Sequence, residues 1–338
     1  MLSHHDRTLL RPMTRRQLLS RAVGATLFGL MPYRSVWTEE KSTPACRFTA
    51  AYRAVQRYGS VKRTADSPVH ILREFSLQGE SLLLTLDPES LTTAILPLEA
   101  VTFLDEPPDL AVQSRYARLL TRQMVPPHPL VNAGLRRADH PIDGVCLTID
   151  LCPAPKPMEY RLFEALMSDD LSRPVPLAIA VSGGWMRRHE RDFAWLCARH
   201  AEGDFSITWI NHSNTHFYDA ARHNRENFFL ANGSDPQCEV LALEWELIRR
   251  GVTPPPFFRF PGLVSSSGLL KELTELGLLV IGCETVVADG APIRSGGIIL
   301  LHGNGNEPRG VDFFLHHLRS PKKIQLVSLP ELFRLHPG

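Results

Sequence analysis

Two kinds of hydrophobic pattern alternate along the chain after residue 140. Short runs of consecutive apolar residues, such as Val145–Leu151 between Gly144 and Pro153, are typical of strands that are buried on both faces. Between such runs, apolar residues recur with helical spacing, as in Glu190–Arg199 and Cys238–Arg250. Strands that alternate with helices form mostly parallel sheets, because each helix carries the chain back to begin the next strand.

About seven strand–helix units fit this pattern, which predicts an α/β fold: a distorted (β/α) barrel with an N-terminal mixed α/β extension. The predicted strands are Val145–Leu151, Leu177–Val181, Phe205–Ile210, Phe257–Phe258, Leu278–Cys283, Gly297–Leu301 and Ile324–Leu326. The predicted helices are Met158–Met167, Glu190–Arg199, Ala220–Leu230, Cys238–Arg250, Leu269–Leu276, Gly310–Leu318 and Leu329–Leu335.

Residues 41–140 have a mixed pattern that predicts an N-terminal extension or a small accessory domain. The expected elements are a helix near Thr49–Tyr58, strands at Val69–Leu77 and Ser81–Leu86, and a helix around Leu110–Met124. No residue pattern in this part indicates chemistry. The functional domain is therefore expected at residues 141–338, and the role of residues 41–140 stays open.

Residues 1–40 have the layout of an export signal. The arginine pair Arg15 and Arg16 precedes an uncharged, mostly apolar run from Ala22 to Met31. This order resembles the twin-arginine signal, which addresses a folded protein to the cell envelope. Export to the periplasm or cell envelope is therefore expected, with a cytoplasmic location as the alternative if the segment is only a basic amphipathic helix.

The charge balance narrows the choice of partner. The 338 residues include 37 Lys and Arg against 36 Asp and Glu, a formal net charge of +1. Because the two signs are interspersed, no basic surface is expected to grip phosphates, and nucleic acid is not an expected partner. The apolar runs are far shorter than the roughly 20 residues that span a bilayer, so no transmembrane helix is expected.

Four polar residues lie at or just past the carboxyl ends of predicted strands: Asp150, His212, Arg259 and His302. Active sites of parallel α/β folds are built at that edge, so these side chains are expected to converge on one pocket. His216 follows His212 by four positions, and helical spacing would place both imidazoles on one face, where they could hold a divalent metal.

These segments resemble the motifs of the NodB-homology polysaccharide deacetylases, the fourth family of carbohydrate esterases, over roughly residues 144–333. The family motifs are T-F-D-D-G, H-[S/T]-x-x-H, R-x-P-x-G and L-x-H. In this chain TIDLCP (148–153), HSNTH (212–216), RFPG (259–262) and LLH (300–302) occur in the same order. The second motif matches fully and the third lacks one residue.

The resemblance implies a role for each of these residues. Asp150 would be the general base that deprotonates the attacking water, and His302 the general acid that protonates the departing amine. His212 and His216 would hold a divalent ion, zinc being the first candidate, with Asp150 as a further ligand. Arg259 would pair with Asp150 and keep it ionised.

The resemblance also implies substrate contacts and an orienting carboxylate. Leu300 would line the pocket for the acetyl methyl group, and Pro261 of the third motif would contact substrate. Asp289 lies in the interval of the family's fourth motif and would orient His302, although an Asp-Gly turn explains Asp289 and Gly290 equally well.

One departure concerns the metal. The second aspartate of the first motif, a metal ligand in the family, is Leu151 here. Three possibilities stay open: Asp150 is itself the third ligand, Cys152 supplies a thiolate, or the site works without metal. In an extended chain Cys152 would point to the same side as Asp150, because side chains alternate along a strand.

The expected function is a hydrolase that removes N-acetyl or another small acyl group from amino sugars of a polysaccharide or cell-envelope glycan. A metal-independent amidase acting on a small non-sugar substrate is one alternative, motivated by Leu151. The other is a lapsed deacetylase that only binds glycan, although both candidate proton-transfer residues, Asp150 and His302, are retained.

Overall fold

A computed structural model describes residues 52–62, 68–168, 171–320 and 324–334. The predicted export segment at residues 1–40 lies outside these ranges and stays a prediction. None of the helices in the described ranges combines the length and apolar character needed to cross a bilayer.

The described residues form two sheets and a set of short helices. The strands are β1 Tyr52–Val61, β2 Pro68–Leu77, β3 Glu80–Asp87, β4 Thr92–Pro97, β5 Val101–Leu104, β6 Cys146–Leu151, β7 Val175–Val181, β8 Phe205–Asn211, β9 Phe257–Phe258, β10 Leu279–Val280, β11 Thr285–Val286 and β12 Ile298–His302. The α-helices are α1 Asp109–Val112, α2 Arg115–Gln123, α3 Tyr160–Leu166, α4 Gly183–Arg188, α5 Glu190–Ala201, α6 Pro236–Arg249, α7 Ser267–Glu275, α8 Pro308–Leu318 and α9 Leu329–Leu332.

Strands β6 to β12 form a seven-stranded sheet in the order β10-β9-β8-β7-β6-β12-β11. All of its pairings are parallel, which confirms the predicted barrel-like α/β class. The segment just before β6 joins distant parts of this sheet: Leu135 bridges to Ile281 after β10, and Arg137 bridges to Gly297 before β12.

Alternation along β6 decides what faces the pocket and what faces the helices. Leu147, Ile149 and Leu151 are fully buried in the cluster formed with the outer helices. Thr148 and Asp150 therefore point to the opposite face, inside the curved sheet. Because parallel neighbours run in the same direction, polar residues at the ends of β6, β8, β9 and β12 meet at one edge.

The N-terminal extension is a five-stranded antiparallel sheet in the order β4-β3-β2-β1-β5. It shares a core with the barrel, because Tyr52, Leu72 and Phe75 belong to the same buried cluster as Leu241 and Ile248 of α6. The extension is thus packed directly on a helix of the parallel sheet.

A buried ion pair lies at this junction. Arg73 of β2 donates from Nε to Oε2 of Glu244 in α6 (2.7 Å) and from Nη2 to Oε1 (2.8 Å). The hydroxyl of Tyr52 donates to the same carboxylate (2.8 Å), and both charged side chains are 0% exposed. Such a pair fixes the orientation of the two units, because either partner alone would be a buried uncompensated charge.

Several predicted elements differ from the structure. The helix predicted at Thr49–Tyr58 is wrong over its described part, since Tyr52–Val61 is strand β1, paired on both sides with β2 and β5. The helix predicted at Ala220–Leu230 is wrong as well: two 3₁₀ turns stand there, and Phe228 has a positive φ of 53° that a helix does not allow. The strand predicted at Ile324–Leu326 is a single bridge from Val145 to Leu326.

The Arg73–Glu244 pair gives a stability prediction. Glu244→Gln keeps an acceptor for Tyr52 but leaves the Arg73 charge buried without a counter-charge, so the free energy of unfolding should fall by about 3–5 kcal/mol. Glu275→Gln, which breaks the exposed Lys271–Glu275 pair, is the control and should cost at most about 0.5 kcal/mol. Equal urea midpoints for the two variants would contradict the assignment.

His70 gives a pH prediction. Burial lowers the pKa of His70 from 6.5 to about 4, and its Nε2 has no hydrogen-bond partner. As pH falls, the unfolded chain therefore protonates His70 at a higher pH than the folded protein does. The free energy of unfolding should decrease between about pH 6.5 and about pH 4. In His70→Leu this loss, about 3 kcal/mol, should be absent from the urea-derived unfolding free energies. Parallel pH curves for wild type and variant would show that His70 is not buried in its neutral form.

Candidate active site

The polar residues predicted from strand ends do meet at one edge of the parallel sheet. Asp150 is the penultimate residue of β6, and His302 is the last residue of β12. The two residues are paired in register across these neighbouring parallel strands. His212 directly follows β8. All three line a pocket of about 460 Å³ together with Cys152, His216 and Leu300.

Arg259, which directly follows β9, lies against the pocket and holds Asp150. Its Nη1 donates to Oδ1 of Asp150 (2.6 Å) and to Oγ1 of Thr148 (2.7 Å). Its Nη2 donates to the carbonyl oxygen of Gly282 (2.9 Å), and the side chain is 0% exposed. Burial raises the pKa of Asp150, but the charges of Arg259, His212 and His302 more than offset this and hold it below its ordinary value. Asp150 is therefore a carboxylate with one oxygen committed to Arg259.

The orienting partner of His302 is Glu307, a residue that the sequence analysis did not single out. Nδ1 of His302 lies 2.8 Å from Oε2 of Glu307, in the turn just before α8. Asp289, the predicted orienting residue, is exposed and ends a 3₁₀ turn followed by Gly290 at a φ of 73°, so the Asp-Gly turn is what the structure contains. In the sequence, the only indication that Glu307 could reach His302 is its position five residues later.

The protonation of His302 follows from its neighbours. Burial lowers its pKa, but Cys152, Glu307 and Asp150 raise it, with a net result of about 11. The hydrogen bond from His302 correspondingly lowers the pKa of Glu307. His302 is thus an imidazolium at neutral pH, and its Nδ1–H is donated to Glu307.

His212 and His216 are brought together by a turn, so the expected helical spacing is wrong. Ser213 and His216 have positive φ angles of 68° and 52°. The amide of His216 donates to Oγ of Ser213 (3.0 Å), and the amide of Ser213 donates to Oδ1 of Asn211 (3.0 Å). The two imidazole centroids lie 4.7 Å apart as a result.

The backbone of α4 supports this turn. The amide of Gly183 donates to the carbonyl oxygen of Ser213 (3.1 Å), and that of Gly184 to Asn214 (2.8 Å). A Cβ at Gly183 would lie 2.7 Å from the backbone oxygen of Asn214, so only glycine permits this approach. Backbone hydrogen bonds from α4 therefore hold the histidine turn in place.

Three potential ligand atoms converge beside Asp150. The donor atoms of Cys152, His212 and His216 all lie within 4.8 Å of one another, and Sγ of Cys152 is 3.4 Å from Nε2 of His212. Nε2 of His216 is buried without a hydrogen-bond partner. Burial raises the pKa of Cys152, but His216 and His212 lower it well below its usual value.

This donor set fits a zinc ion. One thiolate and two imidazoles are ligands that zinc accepts at catalytic sites, where a fourth position is kept for water or substrate. The unpartnered Nε2 of His216 is the kind of buried polar atom that a bound ion would satisfy. The side chain of Leu151 is absent from this group, since it is packed in the core on the other face of β6.

One wall of the pocket is apolar and partly aromatic. Leu300 lines the pocket as the resemblance implied, together with Leu263 and Val286. Pro261 does not line the pocket: it is buried in the 3₁₀ turn Pro261–Leu263, of which Gly262 and Leu263 form part of the wall. Tyr218 and Phe228 also line the pocket, with stacked rings 5.2 Å apart. No motif indicates Tyr218, and the helix predicted at Ala220–Leu230 does not place Phe228 on the pocket.

No family model matches the chain. Among solved structures it is similar to a family 4 carbohydrate esterase from Bacillus anthracis, with 19% identity, coverage of 64% of this chain and 90% of that one, and a TM-score of 0.42. A chitin deacetylase from Colletotrichum lindemuthianum has 16% identity, coverage of 63% and 95%, and a TM-score of 0.42. A family 4 pseudoenzyme from Bacillus anthracis has 18% identity, coverage of 57% and 66%, and a TM-score of 0.40. At these identities and TM-scores, the function has to be inferred from the site itself.

Proposed function

We propose that the protein is a hydrolase that removes N-acetyl, or another small acyl group, from amino sugars of a polysaccharide or cell-envelope glycan. The observation that carries the proposal is the placement of Asp150 and His302, register partners at the ends of β6 and β12, on one pocket beside the Cys152–His212–His216 group. A base, an acid and a candidate cation site on the same pocket are what amide hydrolysis needs.

Asp150 is the general base. Arg259 holds Oδ1 and keeps the group ionised, while Oδ2 lies 3.8 Å from Nε2 of His212 and stays available to a water molecule. Asp150 accepts a proton as the water oxygen forms a bond to the acyl carbon. A divalent ion bound at the histidines and a third donor would stabilise the negative charge that develops on the carbonyl oxygen.

His302 is the general acid. Glu307 fixes its ring through Nδ1, which leaves the Nε2 proton for the nitrogen of the departing amine. As the C–N bond breaks, this proton gives a neutral amine, and the acyl group leaves as a carboxylic acid. Asp150 and His302 thereby complete one proton transfer each.

The pocket wall supports a small acyl group on an uncharged ring. Leu300, Leu263 and Val286 give an apolar surface for a methyl group, and Tyr218 offers an exposed aromatic ring at the pocket. The chain's near-zero net charge suits a neutral glycan. We further propose export to the cell envelope, supported by the arginine pair and apolar run within residues 1–40.

The proposal predicts acetate release from a glycan. Purified protein supplied with zinc or cobalt should release acetate from chitin oligomers, peptidoglycan or acetylated glucosamine polymers. Asp150→Asn removes the base and should lower kcat by about 10²–10⁴-fold. Asp289→Asn is the matched control and should retain wild-type activity, because Asp289 is exposed.

Three results would count against this assignment. Activity that survived Asp150→Asn would refute the mechanism. Hydrolysis of small non-sugar amides by metal-free protein, with no release from any glycan, would favour the amidase alternative. Glycan binding by an inactive wild type would favour the lapsed deacetylase.

Glu307 is proposed as a positioning residue for His302. Glu307→Gln removes a charge that raises the pKa of His302, so the acid should deprotonate at lower pH. Since the acid works only below its pKa, the alkaline loss of kcat should begin at lower pH than in wild type, with KM little changed. A kcat profile of unchanged shape would show that Glu307 does not act through His302.

A further inference from the structure

We propose that Cys152 is the third metal ligand, giving a one-thiolate, two-imidazole site that prefers zinc over magnesium, calcium and manganese. The inference deepens the proposed function, since it concerns the same pocket, but metal binding can be measured without any turnover. It also selects one of the possibilities that Leu151 leaves open.

The spacing of the donors fits a common ion. Zinc lies about 2.0 Å from a histidine nitrogen and about 2.3 Å from a cysteine sulfur, so a tetrahedral angle places these two atoms about 3.5 Å apart. Sγ of Cys152 and Nε2 of His212 are separated by 3.4 Å. The donor atom of His216 lies within 4.8 Å of both of these atoms, so all three donors face one common position.

The imidazoles are oriented as ligands. Nδ1 of His212 lies 2.9 Å from the backbone oxygen of Arg259, which can only accept, so Nδ1 carries the proton. In the neutral imidazole that a metal requires, Nε2 therefore has the lone pair, and it faces Sγ of Cys152. Nε2 of His216 is buried and makes no hydrogen bond. A thiol–imidazole pair alone would satisfy His212 and leave His216 unexplained, whereas an ion accounts for both.

The other candidates on β6 are less suited to the position. Asp150 commits Oδ1 to Arg259 at 2.6 Å and is not a member of the converging group. The side chain of Leu151 is packed against the helices, whereas Asp150 and Cys152 line the pocket. The ligand thus comes one position later than the first motif of the resembling family would place it.

The donor chemistry sets the selectivity. Thiolate and imidazole are soft or intermediate ligands that suit zinc and cobalt, while magnesium, calcium and manganese favour carboxylate, carbonyl and water oxygens. With no carboxylate among the three converging donors, hard cations should bind poorly.

Cobalt titration of the full-length apo protein tests the proposal. The wild type should show a thiolate-to-cobalt charge-transfer band in the near ultraviolet, together with tetrahedral d–d bands, and zinc should displace the cobalt while a large excess of magnesium should not. Cys152→Ser should lose the charge-transfer band and bind cobalt at least 100-fold more weakly. Cys197→Ser, on helix α5 and outside the donor group, is the matched control and should keep both properties.

Cys152→Asp adds a variant that keeps a donor. It should bind cobalt without the charge-transfer band and should gain affinity for manganese relative to zinc. Thermal unfolding of each apo variant, monitored by circular dichroism, separates loss of a ligand from loss of the fold.

The possible results of these experiments distinguish Cys152 as a metal ligand from other roles. Cobalt bound to wild type without a charge-transfer band, or with equal affinity in Cys152→Ser, would overturn the assignment. Failure to bind cobalt or zinc, combined with loss of hydrolysis after alkylation of Cys152, would overturn it in favour of a thiol nucleophile. The expected spectra from a protein that releases no acetate would leave the ligand assignment standing while the proposed function failed.

Discussion

The site depends on one buried guanidinium. Arg259 has no exposed surface and donates to Asp150, Thr148 and two backbone carbonyls beyond β10. Its own backbone oxygen accepts from Nδ1 of His212. One residue therefore keeps Asp150 ionised and orients the imidazole of His212 in the candidate metal group. Without the Asp150 carboxylate the Arg259 charge would be stranded in the core, so the two must be retained together.

Other parts of the fold position the side chains around Arg259 and Asp150. Asp150 of β6 and Cys152, the residue after the strand, line the pocket, while Leu151 between them is packed in the outer core. The histidine turn lies on the backbone of α4, and the extension is locked to α6 through Arg73 and Glu244. Polar groups buried in this way are costly unless every partner is in place, which ties the geometry of the site to the stability of the whole molecule.

Sequence alone predicted the sheet and most of the pocket for a simple reason. Buried parallel strands appear as continuous apolar runs, and the residues after them share one edge, so Asp150, His212, Arg259 and His302 could be placed together. The elements that failed depend on non-local pairing: β1 is a strand because β2 and β5 flank it. Asp289 was placed by its position in the sequence, while the true neighbour of His302 is set by the turn that returns Glu307. His216 meets His212 through left-handed backbone conformations that residue spacing does not encode.

The proposed mechanism requires Arg259 and the histidine turn to hold Asp150 and a separate Cys152–His212–His216 metal group on one pocket. A zinc-soaked crystal of the full chain, with anomalous diffraction recorded at the zinc edge, tests it most directly. We expect one strong peak bonded to Cys152, His212 and His216, with Asp150 still paired to Arg259. A peak ligated by Asp150 with that pair broken, or no peak in the pocket, would contradict it.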